Sequence, residues 1–185
     1  MNDRNLISGG GPSLPPHPKL ERYYAHDADR AVFLGRLFDA SAAHYDGISR
    51  FMSLGSDRAY RRQVLLRGGL APGMKLLDVA CGTGMVAAAA REIVGAKGMV
   101  VGLDPSSGML AEARKQKRLD KALQGTAESL PLASDSFDLL SMGFALRHVA
   151  DLRSTFGEFL RVLKPGGRLV ILEINRPRSP AAYGL

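Results

Sequence analysis

Leu76-Leu77-Asp78-Val79-Ala80-Cys81-Gly82-Thr83-Gly84 is the most informative segment of this chain. Its apolar run suits a strand buried on both faces of a parallel sheet, and it closes through an acidic residue into a turn of small residues. A helix-forming run, Met85 to Val94, follows at once. Gly82 and Gly84 let the backbone come close to a ligand, and the start of the helix offers unpaired N–H groups. The spacing Gly82-x-Gly84-x-x-Ala87 fits the nucleotide-binding turn of a doubly wound sheet. A second apolar run, Met99-Val100-Val101-Gly102-Leu103, ends at Asp104, about 20 residues beyond the glycines, where a ribose-binding carboxylate is expected. Together the two elements mark a site for an adenosine-like ligand.

The alternation continues outward from this pair. Strands are expected at 75–80, 99–104, 121–125, 138–143 and 168–174, with helices at 84–94, 106–118 and 151–163. That order predicts an α/β fold with a doubly wound, mainly parallel sheet and helices on both faces. Upstream, Val32, Phe33, Leu37 and Phe38, then Tyr45 and Ile48, predict a helix from Asp29 to about Arg50. A second helix is expected from Asp57 to about Arg67, closed by Gly68-Gly69. The chain thus divides into a disordered tail over 1–25, a helical cap over 26–70 and a sheet core over 71–185. The tail reading rests on Ser8-Gly9-Gly10-Gly11-Pro12 and Pro15-Pro16-His17-Pro18, which cannot build a core. Only about eleven residues follow the fifth strand, so 169–174 is expected to be an exposed apolar edge. The sequence therefore reads either as truncated after strand five or as having that edge covered by a protein partner or a second copy.

The charge around the loop separates two adenosine ligands. Asp78 lies just before the glycines, where it would repel a pyrophosphate but suit a ligand ammonium. The loop accordingly fits S-adenosylmethionine, which carries an ammonium, a sulfonium and no phosphate, better than NAD.

With 185 residues, 45% of them hydrophobic, and a mean hydropathy of −0.05, the chain suits one globular domain. No apolar stretch approaches a bilayer span, and the polar, turn-rich start does not read as a signal peptide. The single cysteine, Cys81, excludes an intramolecular disulfide and reads as a small buried filler in a reducing compartment. A cytoplasmic protein is expected, with peripheral contact at the inner face of the membrane as a further option. The net charge of +7 gathers in Arg114-Lys115-Gln116-Lys117-Arg118, in Arg58, Arg61, Arg62 and Arg67, and in Arg168, Arg176 and Arg178. No interleaved aromatics or recognition motif points to nucleic acid, so a solvated face is the ordinary reading, with weak attraction to anionic lipid beyond it. His17, His26, His44 and His148 are scattered and no metal-ligand spacing occurs, so no metal is expected. No nucleophile-elbow sequence occurs either.

Leu77 to Gly84 also resembles the first motif of class I S-adenosylmethionine-dependent methyltransferases. Gly125-Thr126-Ala127-Glu128-Ser129-Leu130-Pro131 and Asp135-Ser136-Phe137-Asp138 resemble their adenine-side loop and fourth strand, and Arg161 to Leu169 their last helix, turn and fifth strand. Two further segments are similar to the ubiquinone/menaquinone biosynthesis C-methyltransferases. The first is Phe38-Asp39 through His44-Tyr45-Asp46, with Met52-Ser53-Leu54-Gly55 and Arg61-Arg62. The second is Gly143-Phe144-Ala145-Leu146-Arg147-His148-Val149, with Leu172-Glu173-Ile174. The resemblance spans about residues 36–177.

It implies a Rossmann-like fold, S-adenosylmethionine as cofactor, and methylation of a ring carbon of a prenylated quinol. Gly82, Thr83 and Gly84 are then expected at the methionine portion, with Asp78 orienting its ammonium and Asp104 at the ribose. Met109, Thr126, Ala127 and Gly143 are expected around the adenine and the strand-four side of the cofactor. Arg147 and His148, where the family has Leu-Arg-Asn, are the expected catalytic pair, Arg147 favouring a phenolate and His148 taking a proton near neutral pH. Tyr45 and Asp46 are expected to reach the substrate from the cap. Other readings stay open: a methyltransferase for another small aromatic or lipid acceptor, a catalytically weak or structural subunit, and an NAD-binding oxidoreductase.

Overall fold

The computed structural model describes residues 12–17, 27–52 and 56–173. Five strands form one sheet: β1 (Lys75–Val79), β2 (Met99–Asp104), β3 (Lys121–Gln124), β4 (Phe137–Gly143) and β5 (Leu163–Leu172). Their order is β3-β2-β1-β4-β5 and every pairing is parallel. Strands paired this way need crossovers, and helices supply most of them. α3 (Met85–Val94) joins β1 to β2, α4 (Ser107–Lys115) joins β2 to β3, and α5 (Leu152–Val162) joins β4 to β5. The chain winds one way from β1 to β3, then returns to the other side of β1 for β4. The carboxyl ends of β1 and β4 therefore flank the switch point, where open sheets of this kind form their ligand crevice.

The apolar runs settle the layers. Leu76, Val100, Leu139 and Val170 face Leu65 of α2 (Asp57–Arg67) and the small Ala87, Ala89 and Ala90 of α3. Leu77, Val79, Leu103, Leu140 and Met142 face Phe159 and Val162 of α5. Helix starts carry their own signals: Ser106 accepts from the Met109 amide at 3.1 Å, and Asp151 accepts from the Ser154 amide at 2.9 Å.

Two boundaries differ from the sequence expectation. α4 stops at Lys115 because Lys117 takes a left-handed conformation (φ 53°) and turns Arg118 back under the glycine loop. β5 begins at Leu163, directly after α5, because Leu163 pairs with Phe137. A bulge around Gly166 (φ 77°) then restores the register at Arg168 opposite Leu139. Among the described residues β5 has a strand on one side only. The expected edge residue Ile174, the segment 175–185, Ser53-Leu54-Gly55 and His26 lie outside the described residues, as does the tail apart from 12–17. Within 12–17, the Leu14 amide donates to Asp151 and the Leu14 carbonyl accepts from the Leu152 amide at 2.9 Å.

α1 (Asp27–Met52) lies across the top of the sheet against α4. Two carboxylates seven residues apart fasten it there. Asp39 accepts from the Ser106 hydroxyl at 2.6 Å and the Gly108 amide at 2.9 Å, at the positive end of α4. Asp46 accepts from the Thr83 hydroxyl at 2.5 Å and pairs with the Arg118 guanidinium at 2.6 Å. Arg118 is thus an internal strut and not part of a solvated basic face.

Candidate active site

The crevice is built on backbone that side chains ordinarily avoid. Ala80 (φ 53°), Gly82 (φ 55°) and Gly84 (φ 80°) are all left-handed within five residues, and Phe144 (φ 58°) is so just beyond β4. Such conformations persist where the surroundings fix them, and they collect at functional sites. Here the Cys81 amide donates to the Leu103 carbonyl at 3.0 Å and the Gly82 amide to Asp104 Oδ2 at 2.7 Å. Asp104 Oδ1 accepts from the Ser106 amide at 2.8 Å. One carboxylate therefore joins the glycine loop to the start of α4, and each oxygen keeps a lone pair for a further donor. Cys81 is buried, and burial drives its thiol well above the ordinary range, which leaves an inert filler beside Gly102.

Three ionisable groups sit close together beneath this loop. Asp78 is 1% exposed, accepts from the Ser141 hydroxyl at 2.7 Å through Oδ1, and has no hydrogen-bond partner for Oδ2. Burial pushes its pKa up to about 7, against the Ser141 hydrogen bond and the nearby Arg61 charge, and Asp104 adds to the rise. Burial also raises Asp104, opposed by the two amides it accepts from. Arg61, itself 5% exposed, is held by Asp57 at 2.8 Å and lies 5.2 Å over the Phe144 ring.

Above lies a cavity of about 220 Å³ at the switch point. Of the residues expected at a site, it is lined by Tyr45, Gly82, Asp104, Met109, Thr126, Ala127, Gly143 and His148. The others stand elsewhere. Asp78 lies under the floor, and Gly84 packs toward Arg118, whose Cβ would stand 3.1 Å from a Cβ added at that glycine. Thr83 and Asp46 face each other outside the cavity, in the fastening of α1. Arg147 turns outward, its guanidinium 3.3 Å from Glu173.

His148 faces the cavity with its ring edge-to-face on Phe38, the centroids 5.4 Å apart. Burial, and then the charges of Arg147, Arg30 and His17, lower its pKa to about 4, so it is neutral at pH 7 rather than titrating there as the sequence suggested. Glu128 also lines the cavity and accepts from the Ala150 amide at 2.6 Å.

The sequence reading found Tyr45 but missed the rest of the α1 wall. Arg30, Leu34 and Phe38 recur every four residues, and Tyr45 lies on the same helical face. Extending that face back from Phe38 would have found Arg30. Among the described residues no group of three or more His, Cys, Asp or Glu is placed to hold a metal ion, and no helix is long and apolar enough to cross a membrane.

Comparison with known proteins agrees with this geometry. The model of the ubiE/COQ5 methyltransferase family matches residues 26–183. The chain is 39% identical over 156 residues to the ubiquinone/menaquinone biosynthesis C-methyltransferase UbiE of Shewanella piezotolerans, covering 80% of this chain and 62% of that protein. It is 36% identical over 171 residues to the demethylmenaquinone methyltransferase of Symbiobacterium thermophilum, covering 89% of this chain and 64% of that protein. It therefore spans a little over three fifths of the length of these relatives. Among solved structures, a SAM dependent methyltransferase from Aquifex aeolicus superposes with a TM-score of 0.58 at 27% identity, covering 65% of this chain and 68% of that one. A sheet of order β3-β2-β1-β4-β5, a glycine loop fastened to Asp104 and these matches lead to one assignment: the chain belongs to the ubiE/COQ5 methyltransferase family.

Proposed function

We propose that this chain binds S-adenosylmethionine in the crevice and methylates a ring carbon of a prenylated quinol, working in the cytoplasm on an acceptor drawn from the membrane. The observation that carries the cofactor half is Asp104, whose two oxygens accept the Gly82 and Ser106 amides at 2.7 and 2.8 Å and retain lone pairs at the cavity wall. Ribose hydroxyls are suited to those lone pairs. Buried Asp78, when ionised, adds a field that favours a cationic ligand above it. Met109, Thr126 and Ala127 supply an apolar wall and a small polar edge for a base. When bound, the cofactor supplies an electrophilic methyl carbon on a sulfonium.

The acceptor half is supported by the two relatives, both of which carry quinone-biosynthesis or demethylmenaquinone names. Loss of the acceptor's phenolic proton enriches the ortho carbon. After the new carbon–carbon bond forms, the ring C–H proton leaves and the oxygen is reprotonated, so one proton is released in all. Neutral His148, at the cavity wall, has a ring nitrogen free of charge to accept a hydrogen bond from the phenol. α1 closes the crevice from above and keeps water away from both partners.

The test is transfer of tritium from methyl-labelled S-adenosylmethionine to a prenylated naphthoquinol or benzoquinol, kept reduced in detergent with the purified chain. A ring-methylated, labelled product is expected. Binding of S-adenosylhomocysteine with no transfer to either quinol class would refute the acceptor assignment.

A further inference from the structure

Arg30 brings a permanent charge to the cavity from α1, nine residues before the Asp39 that docks on Ser106 beside Asp104. Its guanidinium donates to the Arg147 carbonyl at 2.9 Å, one residue from His148, and among the described residues it forms no ion pair. A guanidinium has five N–H donors, so one carbonyl leaves most of them unused. The cavity's carboxylates are already answered, Asp104 by the Gly82 and Ser106 amides and Glu128 by the Ala150 amide. Leu34, Phe38, Phe144 and Val149 make much of the wall of the cavity that Arg30 lines apolar. A cation held in such a place gains strongly from an anionic or strongly accepting oxygen.

We propose that Arg30 holds the ring oxygen of the methyl acceptor as an oxyanion, with His148 beside it as hydrogen-bond partner; this rests on the quinol reading given above. Arg147, the cation nearest in sequence to His148, contributes its carbonyl as the anchor for Arg30, while its own guanidinium serves Glu173. Phe38 fixes the His148 ring edge-to-face, so the two oxygen-binding groups come from different elements, α1 and the turn after β4. An acceptor whose oxygen is fixed between them is presented with its adjacent ring carbon toward the cofactor end. The same arrangement selects acceptors with a ring oxygen that can ionise, as in quinols, over neutral aromatics of equal size.

The experiment uses the whole chain saturated with S-adenosylhomocysteine. Binding of 2-hydroxy-1,4-naphthoquinone, an anion at pH 7, is compared with binding of its neutral 2-methoxy ether by calorimetry. The wild-type chain is expected to prefer the anion, and Arg30→Met to lose about ten- to hundredfold in affinity for it with little change for the ether. Arg30→Lys keeps part of the preference, and affinity for S-adenosylhomocysteine stays within about twofold in both variants. A preference that survives in Arg30→Met overturns the assignment, as does its complete loss in Arg30→Lys. Loss of cofactor affinity in both variants would mean that Arg30 serves the seating of α1, and would also overturn it. A wild-type chain that binds cofactor but neither naphthoquinone refutes the quinol reading itself.

Discussion

Replacing Asp78 by Asn should shift stability progressively in the variant's favour as pH rises from about 4 through 7. Asp78 is 1% exposed and ionises near 7 instead of near 3.8, chiefly because burial penalises its charge. Its folded pKa is raised, so the folded state holds the proton more tightly than the unfolded chain. The stability it contributes is therefore fully present below about pH 3.8 and is lost as pH rises through 7. The full difference is about 4 kcal/mol, of which about 2 kcal/mol falls between pH 5.5 and 8.5. Asn can still accept from Ser141, but its amide replaces the unpartnered Oδ2 and costs about 1–3 kcal/mol at every pH. The diagnostic quantity is thus the pH dependence of the difference and not its sign at one pH. Urea unfolding followed by far-ultraviolet circular dichroism at pH 5.5, 7 and 8.5 measures it. A stability difference between wild type and Asp78→Asn that does not change with pH would refute the reasoning.

Three further outcomes follow from the same geometry. Gly84→Ala should lower the melting temperature more than Gly82→Ala: both force a left-handed alanine, at about 1–2 kcal/mol, but at Gly84 the new Cβ also meets Arg118 Cβ at 3.1 Å, whereas at Gly82 nothing lies within 4 Å. Equal melting temperatures would contradict this. Asp46→Ala should cost about 1–3 kcal/mol by leaving Thr83 and Arg118 without their shared acceptor, and should speed tryptic cleavage within α1; unchanged protection would show that α1 is not held there. The His148 proton resonance should show no titration step between pH 5.5 and 8, its pKa lying near 4. Because that pKa is depressed, its contribution to stability is present above about 6.5 and is lost as pH falls toward 4, and a step near 6.5 would refute the burial argument.

The core of the fold was legible because each signal was local. Apolar runs at Leu76–Val79 and Met99–Leu103, small residues at Cys81–Gly84 and acidic residues at strand ends place β1, α3 and β2 without reference to distant chain. Asp104 was legible for the same reason. The cap was less so. Val32 and Leu37 helped mark α1 as a helix, yet both are exposed, and the face that meets the crevice runs through Arg30, Leu34, Phe38 and Tyr45. What fixes that face is Asp39 on α4 and Asp46 on the glycine loop, contacts across 67 and 37 residues that no periodicity encodes. The same long-range packing moved Thr83 into a fastening role, and the pairing of Arg147 with Glu173 left Arg30 as the cation at the wall.

The most direct test of the account is calorimetric titration of the purified chain with S-adenosylhomocysteine, beside Asp104→Ala and with NAD as the competing ligand. The account predicts saturable binding of S-adenosylhomocysteine, lost in Asp104→Ala, and none of NAD. A folded chain that fails to bind S-adenosylhomocysteine, or binds it equally well without the Asp104 carboxylate, would contradict it.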